Sequence, residues 1–245
     1  AILKDNDNIW QDQEAAERLR SDRHRKGLEK IMILKDIWLD VKAVQARDPA
    51  ARSALEVLLL YQGVHALIWH RFAHWFYKHH MFFIARWISQ MARFFTLIEI
   101  HPGAQLGHGI LIDHGCGVVI GETTVVGDNC TIYQGVTLGG VGTQKGKRHP
   151  TLGNNVTVGA GAKILGAFEV GDNCTIAANA VLLKPLENNI TAAGIPARPV
   201  KKDGIRLPKA ENPVLTMEHY CKMEERIKEL EKQIKELEKQ IDQPC

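Results

Sequence analysis

A six-residue repeat constrains the fold of this chain more than any other feature of its sequence. Between residues 106 and 195 an aliphatic residue recurs with a period of six, usually followed by glycine or another small residue. The leading positions are Leu106, Ile112, Ile120, Val126, Ile132, Leu138, Leu152, Val158, Ile164, Val170, Ile176 and Leu182. Six residues suit one short strand and a tight turn, and three such units make one coil of a β-helix. The sequence therefore predicts a left-handed parallel β-helix over residues 98–201, with the leading side chains pointing inward.

Three of the five cysteines fall within this repeat. Cys116, Cys130 and Cys174 each occupy the fifth place of a unit, where other units carry small residues such as Thr124 and Ala162. Free cysteine behaves as a small buried hydrophobe. We therefore expect all three thiols to pack inside the β-helix.

Residues 1–97 have helical periodicity instead, which predicts an N-terminal α-helical domain and makes the fold class α+β. Asp48-Pro49 is expected to end the first helix, since proline disfavours helical geometry in the residue before it. Gly63 and residues 78–80 are expected to separate the later helices. His70 and His74 would share a helix face, but no acidic residue nearby completes a metal site, so we predict packing and no metal.

Residues 202–245 are predicted to form a linker and a C-terminal amphipathic helix. From Tyr220 to Ile241 apolar residues alternate spacings of three and four, with Ile at a, Leu at d, and Lys and Glu beside them. A coiled coil between subunits and a single helix docked on the body both fit this pattern.

Composition argues against several classes of protein. A net charge of +3 is too small to indicate nucleic-acid or membrane binding. No apolar run approaches the roughly 18 residues of a transmembrane helix, and the charged residues 1–30 do not resemble a signal peptide. The five cysteines have no regular spacing, which predicts neither a disulfide framework nor a zinc site. We expect a cytoplasmic protein.

Two irregularities in the repeat predict a functional site. Between Leu138 and Leu152 the stretch GGVGTQKGKRHPT intervenes, as either a solvated turn or a functional loop. Its basic residues are Lys145, Lys147, Arg148 and His149. The unit that begins at Ile112 is eight residues long and contains an Asp-His pair. Histidine suits proton transfer near neutral pH, and an adjacent carboxylate can orient its ring.

With these motifs together, the chain resembles the serine O-acetyltransferase family over residues 36–201. The resemblance rests on HPGAQLGHGILIDHG, TLGGVGTQKGKRHPTLGNNVTVGAGAKILG, TAAGIPARPV, RDPA and HALIWHRFAHW. It implies transfer of the acetyl group from acetyl-CoA to the hydroxyl of L-serine, in cysteine biosynthesis, with no permanently bound cofactor.

The resemblance also implies roles for individual residues. His114 would be the general base, next to Asp113, and would return the proton to the CoA thiolate. Glu99, where the family commonly has Asp, would hold the other ring nitrogen of His114. Asp48 and Asp113 would bind the ammonium group of serine. Arg148 and His149 would bind its carboxylate, and a zwitterion needs both signs of charge.

The resemblance also implies that the CoA moiety of the co-substrate lies in a groove between adjacent subunits. Backbone groups at Ala160, Gly161 and Ala178 would contact its pantetheine arm. The family implies a homotrimer or a dimer of trimers, and feedback inhibition by L-cysteine. Its partnership with O-acetylserine sulfhydrylase uses a C-terminal Ile, whereas this sequence ends in Cys245.

Three other functions fit parts of the sequence. A sugar or another hydroxyl acceptor would gain little from charges of both signs. A γ-type carbonic anhydrase would need three zinc-binding histidines, and His108, His114 and His149 lack that family's spacing. A trimeric scaffold that displays the tail would leave the Asp113-His114 distortion without a role.

Overall fold

The computed structural model describes residues 33–143, 145–208 and 224–234, and the chain divides into one compact unit that ends at Leu207 and another that begins at Pro208. The described part of the first unit begins with four helices. They are α1 (33–47), α2 (Ala54–Leu60), α3 (Gln62–Lys78) and α4 (Phe82–Thr96). The helix end before Pro49 and the break at residues 78–80 are confirmed.

Gly63 does not break a helix, so that prediction is wrong. It lies in the first turn of α3, and the break falls at Tyr61 instead. A Cβ at Gly63 would overlap the carbonyl oxygen of Ile112. Glycine therefore lets the start of α3 approach the backbone of the β-helix directly.

Short strands follow the helices. They are β1 (Glu99–Ile100), β2 (Gln105–Leu106), β3 (Leu111–Asp113), β4 (Val119–Ile120), β5 (Val125–Val126), β6 (Thr131–Tyr133), β7 (Thr137–Gly139), β8 (Thr151–Leu152), β9 (Thr157–Val158), β10 (Lys163–Leu165), β11 (Glu169–Val170), β12 (Thr175–Ile176), β13 (Val181–Leu182), β14 (Ile190–Gly194), β15 (Ala197–Lys202) and β16 (Ile205–Arg206). Only β14–β15 and β15–β16 pair antiparallel in the described chain.

From β1 to β13 every third strand pairs in parallel, and β12 then pairs with β14, which produces three sheets around one core. Sheet 1 is β1-β4-β7-β10-β13, sheet 2 is β2-β5-β8-β11, and sheet 3 is β3-β6-β9-β12-β14-β15-β16. The register stacks each leading aliphatic residue on the next, for example Ile120 on Leu138 and Leu138 on Ile164. All the leading residues are buried except Leu106, which packs half-buried against the core. The predicted fold class, helices followed by a parallel β-helix, is confirmed.

The cysteine prediction holds for two residues of three. Cys130 and Cys174 are buried, but Cys116 is exposed. The inward place lies two residues before the next leading aliphatic, and in the eight-residue unit Val118 takes it. Cys116, the fifth residue of the unit that begins at Ile112, therefore does not occupy the inward position.

The turns between sheets form three edges of the β-helix. Edge I, between sheets 1 and 2, includes residues 101–104, 121–124, 140–143 and 145–150. Edge II, between sheets 2 and 3, includes residues 107–110 and 127–130. Edge III, from sheet 3 to the next strand of sheet 1, holds residues 114–118, 134–136, 159–162 and 177–180.

Hydrogen bonds fix the helices onto the first coil. The buried Asp40 carboxylate accepts from Arg71 Nη2 over 2.6 Å and from the N–H of Ile110 over 3.0 Å. Burial raises the pKa of Asp40, and Arg71 opposes that shift. Ser89 on α4 donates to the carbonyl of Ile100 over 2.7 Å. These contacts hold the helical layer in a fixed position over β1–β3.

The second unit contains α5 (224–234) in its described part. Ile227, Leu230 and Ile234 lie three and four residues apart and are exposed. The other residues of the predicted seam, Tyr220, Met223, Leu237 and Ile241, lie outside the described residues. No described helix is both long and apolar enough to cross a membrane.

Candidate active site

The eight-residue unit forms an unusual turn at edge III. His114 has a left-handed backbone with φ of 55°, and its side chain is 75% exposed. Its Nε2 lies 3.9 Å from a carboxylate oxygen of Asp113. Histidine is one of the residues that tolerate this conformation. The two extra residues thus project an imidazole outward from the β-helix beside a carboxylate.

A second carboxylate is held next to this turn. Asp48, which follows α1, accepts hydrogen bonds from the Tyr61 hydroxyl and from the N–H of Ala50, both over 2.8 Å. The bond to Asp48 raises the pKa of Tyr61 to about 12, and the charge of Asp113 contributes to this shift. The Tyr61 hydroxyl therefore fixes the Asp48 carboxylate, and the charge of Asp113 acts on the same hydroxyl.

Glu99 lies on β1, near the same edge. Its carboxylate forms ion pairs with Arg86 Nη2 at 3.2 Å and Arg93 Nη1 at 3.3 Å, both on α4. No hydrogen bond joins Glu99 to His114 within the described chain. The role of Glu99 in orienting the imidazole stays a prediction.

The basic loop is anchored at edge I. Arg148 Nη2 donates to one oxygen of Glu122 over 2.5 Å, and Tyr77 Oη donates to the other over 3.2 Å. The bond from Arg148 lowers the pKa of Glu122 below its usual range. Glu122 is thus an anion under ordinary conditions, and it fixes one nitrogen of the guanidinium.

Thr123 organises the backbone of this loop. Its hydroxyl oxygen accepts from the N–H groups of Arg148 and His149 over 3.0 and 3.1 Å. Its own N–H donates to His149 Nδ1 over 3.2 Å, and its carbonyl accepts from Lys147 Nζ over 2.8 Å. Burial, followed by the charge of Arg148, lowers the pKa of His149. Since Nδ1 accepts, a neutral His149 carries its proton on Nε2 and can donate it to an anion.

Above His114, small residues stack along edge III. Gly117, Gly135, Gly161 and Asn179 all have positive φ and follow one another from coil to coil. Gly161 N–H donates to the Gln134 carbonyl over 2.8 Å. In contrast, the N–H groups of Ala160 and Ala178 have no hydrogen-bond partner within the described chain, and both lie in exposed or half-buried turns. This edge can accept an extended ligand rich in amides.

The predicted substrate-binding residues thus form two groups rather than one. Asp113 and His114 lie at edge III, with the turns that carry Ala160, Gly161 and Ala178 above them, and Asp48 follows α1. Arg148 and His149 lie at edge I, on the other side of sheet 1. Sequence reasoning missed Tyr61, Tyr77, Glu122 and Thr123.

His70 and His74 lie together on α3. His70 is buried, which lowers its pKa well below the usual range, and its ring centroid lies 5.6 Å from that of His74. His108 lies at edge II, so His108, His114 and His149 are at three different edges. Among the described residues, no three His, Cys, Asp or Glu side chains are grouped as metal ligands.

Comparison with known proteins identifies the class and then the family. Residues 149–184 match the family described as bacterial transferase hexapeptide (six repeats), and residues 117–140 match the hexapeptide repeat of succinyl-transferase. Together with the β-helix and the two polar edges, these matches define a hexapeptide-repeat transferase. Residues 11–68 match serine acetyltransferase, N-terminal. The chain belongs to the serine acetyltransferase family, a family of acyltransferases.

Two curated relatives support this membership. A serine acetyltransferase of Helicobacter pylori strain J99 is 60% identical over 168 residues, which are 69% of this chain and 98% of the relative. A serine acetyltransferase of Synechococcus elongatus is 54% identical over 175 residues, 71% of this chain and 72% of the relative.

Solved structures of the family share this fold. The Brucella abortus enzyme in complex with coenzyme A has a TM-score of 0.67 at 43% identity, covering 69% of this chain and 67% of that one. The Neisseria gonorrhoeae enzyme in complex with serine has a TM-score of 0.69 at 38% identity, covering 72% of each chain. A serine acetyltransferase in complex with cysteine has a TM-score of 0.69 at 42% identity, covering 69% of this chain and 70% of that one.

Proposed function

We propose that this chain transfers the acetyl group of acetyl-CoA to the hydroxyl of L-serine. The observation that carries the proposal is the set of polar groups at the two edges. Edge III presents carboxylates and an exposed imidazole, and edge I presents Arg148 and a neutral histidine donor. A zwitterionic amino acid that also carries a reactive hydroxyl matches this set of groups.

The proposed mechanism uses His114 twice. Its unprotonated ring nitrogen takes the proton of the serine hydroxyl while the hydroxyl oxygen attacks the thioester carbon. The carbon–sulfur bond of the tetrahedral intermediate then breaks, and the imidazolium gives its proton to the CoA thiolate. Asp113, 3.9 Å from Nε2, stabilises the imidazolium that exists between the two steps. Glu99 is proposed to orient the other ring nitrogen.

CoA is proposed to run along edge III. Its thioester would lie at His114, and its pantetheine amides would meet the free N–H groups of Ala160 and Ala178. The described chain uses Gly161 N–H internally, so we assign Gly161 the role of a small residue that permits close approach.

We also propose that two subunits complete each site. Sheet 1 separates edge I from edge III within one chain, so one serine molecule cannot reach both groups of one subunit. In a cyclic trimer, edge I of one subunit lies against edge III of the next, and three identical sites result. The same ammonium and carboxylate contacts would bind L-cysteine, which makes feedback inhibition a property of this pocket.

Further partners follow from the same proposal. The seam of α5 would join subunits as a coiled coil, and a dimer of trimers would be compatible with it. The proposed setting is the cytoplasm, where the described cysteines would stay reduced.

Thiol release from acetyl-CoA tests the reaction. The purified chain should release CoA thiol only when L-serine is present, with O-acetyl-L-serine as the second product by mass spectrometry. Release with a sugar or a simple alcohol at a rate equal to that with serine would favour the alternative acceptor. No release with any hydroxyl acceptor would contradict the proposed function.

A further inference from the structure

Arg148 belongs to a chain of contacts that starts in the helical layer. Tyr77 lies in the last turns of α3, 45 residues before Glu122 in sequence, and its hydroxyl donates to Glu122 Oε1 over 3.2 Å. Glu122 Oε2 accepts from Arg148 over 2.5 Å. Each carboxylate oxygen thus has one partner, and the carboxylate bridges a helix and the basic loop.

The packing around this bridge leaves little freedom. A Cβ at Gly103 would lie 3.0 Å from Tyr77 Cζ and 3.2 Å from Glu122 Cγ, so the absence of a side chain there makes room for both residues. The Tyr77 ring also packs edge-on against Phe82 and His101, with centroids 5.1 and 6.0 Å apart. The tyrosine hydroxyl is therefore held in place by its ring contacts.

The guanidinium keeps free donors on its outer side. Only Nη2 of Arg148 contacts Glu122, and the described chain provides no other acceptor for this side chain. A guanidinium has five N–H donors in a planar fork. Fixing one nitrogen leaves the remaining donors to bind a carboxylate in one orientation.

We infer that Tyr77 and Glu122 are positioning residues that hold the Arg148 guanidinium where the carboxylate of the amino-acid substrate binds. This inference rests on the proposed function and adds two residues to its site. Neither residue touches the substrate: Glu122 acts through Arg148, and Tyr77 acts through Glu122.

Steady-state kinetics of the full chain test whether Tyr77 acts through Glu122 and Glu122 acts through Arg148. Glu122→Gln should raise the serine KM tenfold or more, since it removes a charge-assisted bond, whereas Tyr77→Phe should raise it about two- to tenfold. The KM for acetyl-CoA should not change. In the Glu122→Gln background, Tyr77→Phe should have no further effect, because its contact passes through the Glu122 carboxylate.

Ser89→Ala is the matched control, since it also removes a hydroxyl bond between a helix and the β-helix, but its partner is the backbone of β1 and not the Glu122 carboxylate. It should leave the serine KM unchanged. An additive effect of Tyr77→Phe in the Glu122→Gln background, or an equal rise of both KM values, would overturn the inference. Calorimetric titration of L-cysteine gives a second readout: its affinity should fall in the same order if Arg148 binds an amino-acid carboxylate, and unchanged affinity would count against the inference. Serine-dependent thiol release by the wild-type chain tests the proposed function separately.

Discussion

The Tyr61 hydroxyl donates a hydrogen bond to the Asp48 carboxylate over 2.8 Å, across the junction between two helices. The other Asp48 oxygen accepts from the N–H of Ala50, so both oxygens have fixed directions. This bond fixes the carboxylate of a loop residue, and the charge of Asp113 in the β-helix also acts on the Tyr61 hydroxyl. The proposed ammonium site is therefore assembled by a tyrosine rather than by the aspartates alone.

Tyr61→Phe should weaken serine binding. The variant frees Asp48 to move away from Asp113, so the serine KM should rise about two- to tenfold, the scale of one lost hydrogen bond. Because the pKa of Tyr61 is about 12, its hydroxyl stays protonated, and the KM difference between variant and wild type should be constant from pH 7 to about pH 10. Initial rates at varied serine concentration measure it. An equal rise in the acetyl-CoA KM would contradict this assignment.

His114→Asn should remove the general base without disturbing the fold. The side chain is largely exposed, and asparagine tolerates the positive φ of this turn. Turnover should fall by about 10²-fold or more. His80→Asn is the matched control, because His80 also has a positive φ, 59°, but lies in the exposed turn after α3. If His114→Asn kept near-normal turnover, His114 would have no part in the chemistry.

Arg148→Ala should weaken serine and cysteine together. Both ligands would lose the same charge-assisted contact, worth about 1.5–3 kcal/mol. The serine KM and the inhibition constant for cysteine should rise by similar factors, measured with acetyl-CoA at saturation. Intact inhibition by cysteine beside weakened serine binding would show that the two amino acids do not share a carboxylate site.

Gly121→Ala should displace His149. An added Cβ would overlap the His149 ring at Nε2 and Cδ2, the side of the ring proposed to face the ligand. The serine KM should rise, and the acetyl-CoA KM should not. Gly127→Ala, one unit later, is the matched control: its Cβ would meet Gly153 at edge II, so it should lower thermal stability and leave the serine KM unchanged. Equal KM effects from the two variants would remove His149 from the binding site.

Truncation after Pro213 should leave a trimer. The proposed shared sites lie along the β-helix, whereas the seam of α5 is proposed as a separate contact. Light scattering of the truncated chain should give a mass three times that of its monomer. A monomeric product would show that the tail holds the oligomer together and that edges I and III do not associate by themselves.

The interior of the β-helix could be predicted from sequence because each inward position repeats the same chemical requirement. Ile120, Leu138 and Ile164 occupy equivalent places in successive coils, so the six-residue period identifies all three. The period gives the wrong position for Cys116, because its unit has two extra residues. The inward position of that unit still lies two residues before the next leading aliphatic residue, and Cys116 is exposed.

The contacts that arrange the site could not be predicted in this way. Glu122 and Arg148 are 26 residues apart, the same offset that separates Val125 from its partner Thr151 in the register of β5 and β8. The offset can be inferred from the sequence only if the inserted loop is already known to lie within a single coil. Tyr61 and Asp48 belong to different local structures, and no periodicity relates them.

Along edge III, the number of coils between two turns fixes the distance between those turns. Each coil advances the chain by one inter-strand spacing of about 4.8 Å, and three such steps separate the turn at Gly117 from that at Asn179. If the thioester of acetyl-CoA lies at His114, the opposite end of the CoA moiety would therefore lie at a particular turn. Removing a complete coil of three units would preserve the core and every type of buried contact. It would nevertheless move the turn that meets the distant end of the ligand by one inter-strand spacing relative to His114. In such a solenoid, insertions that are harmless to folding can be incompatible with the ligand.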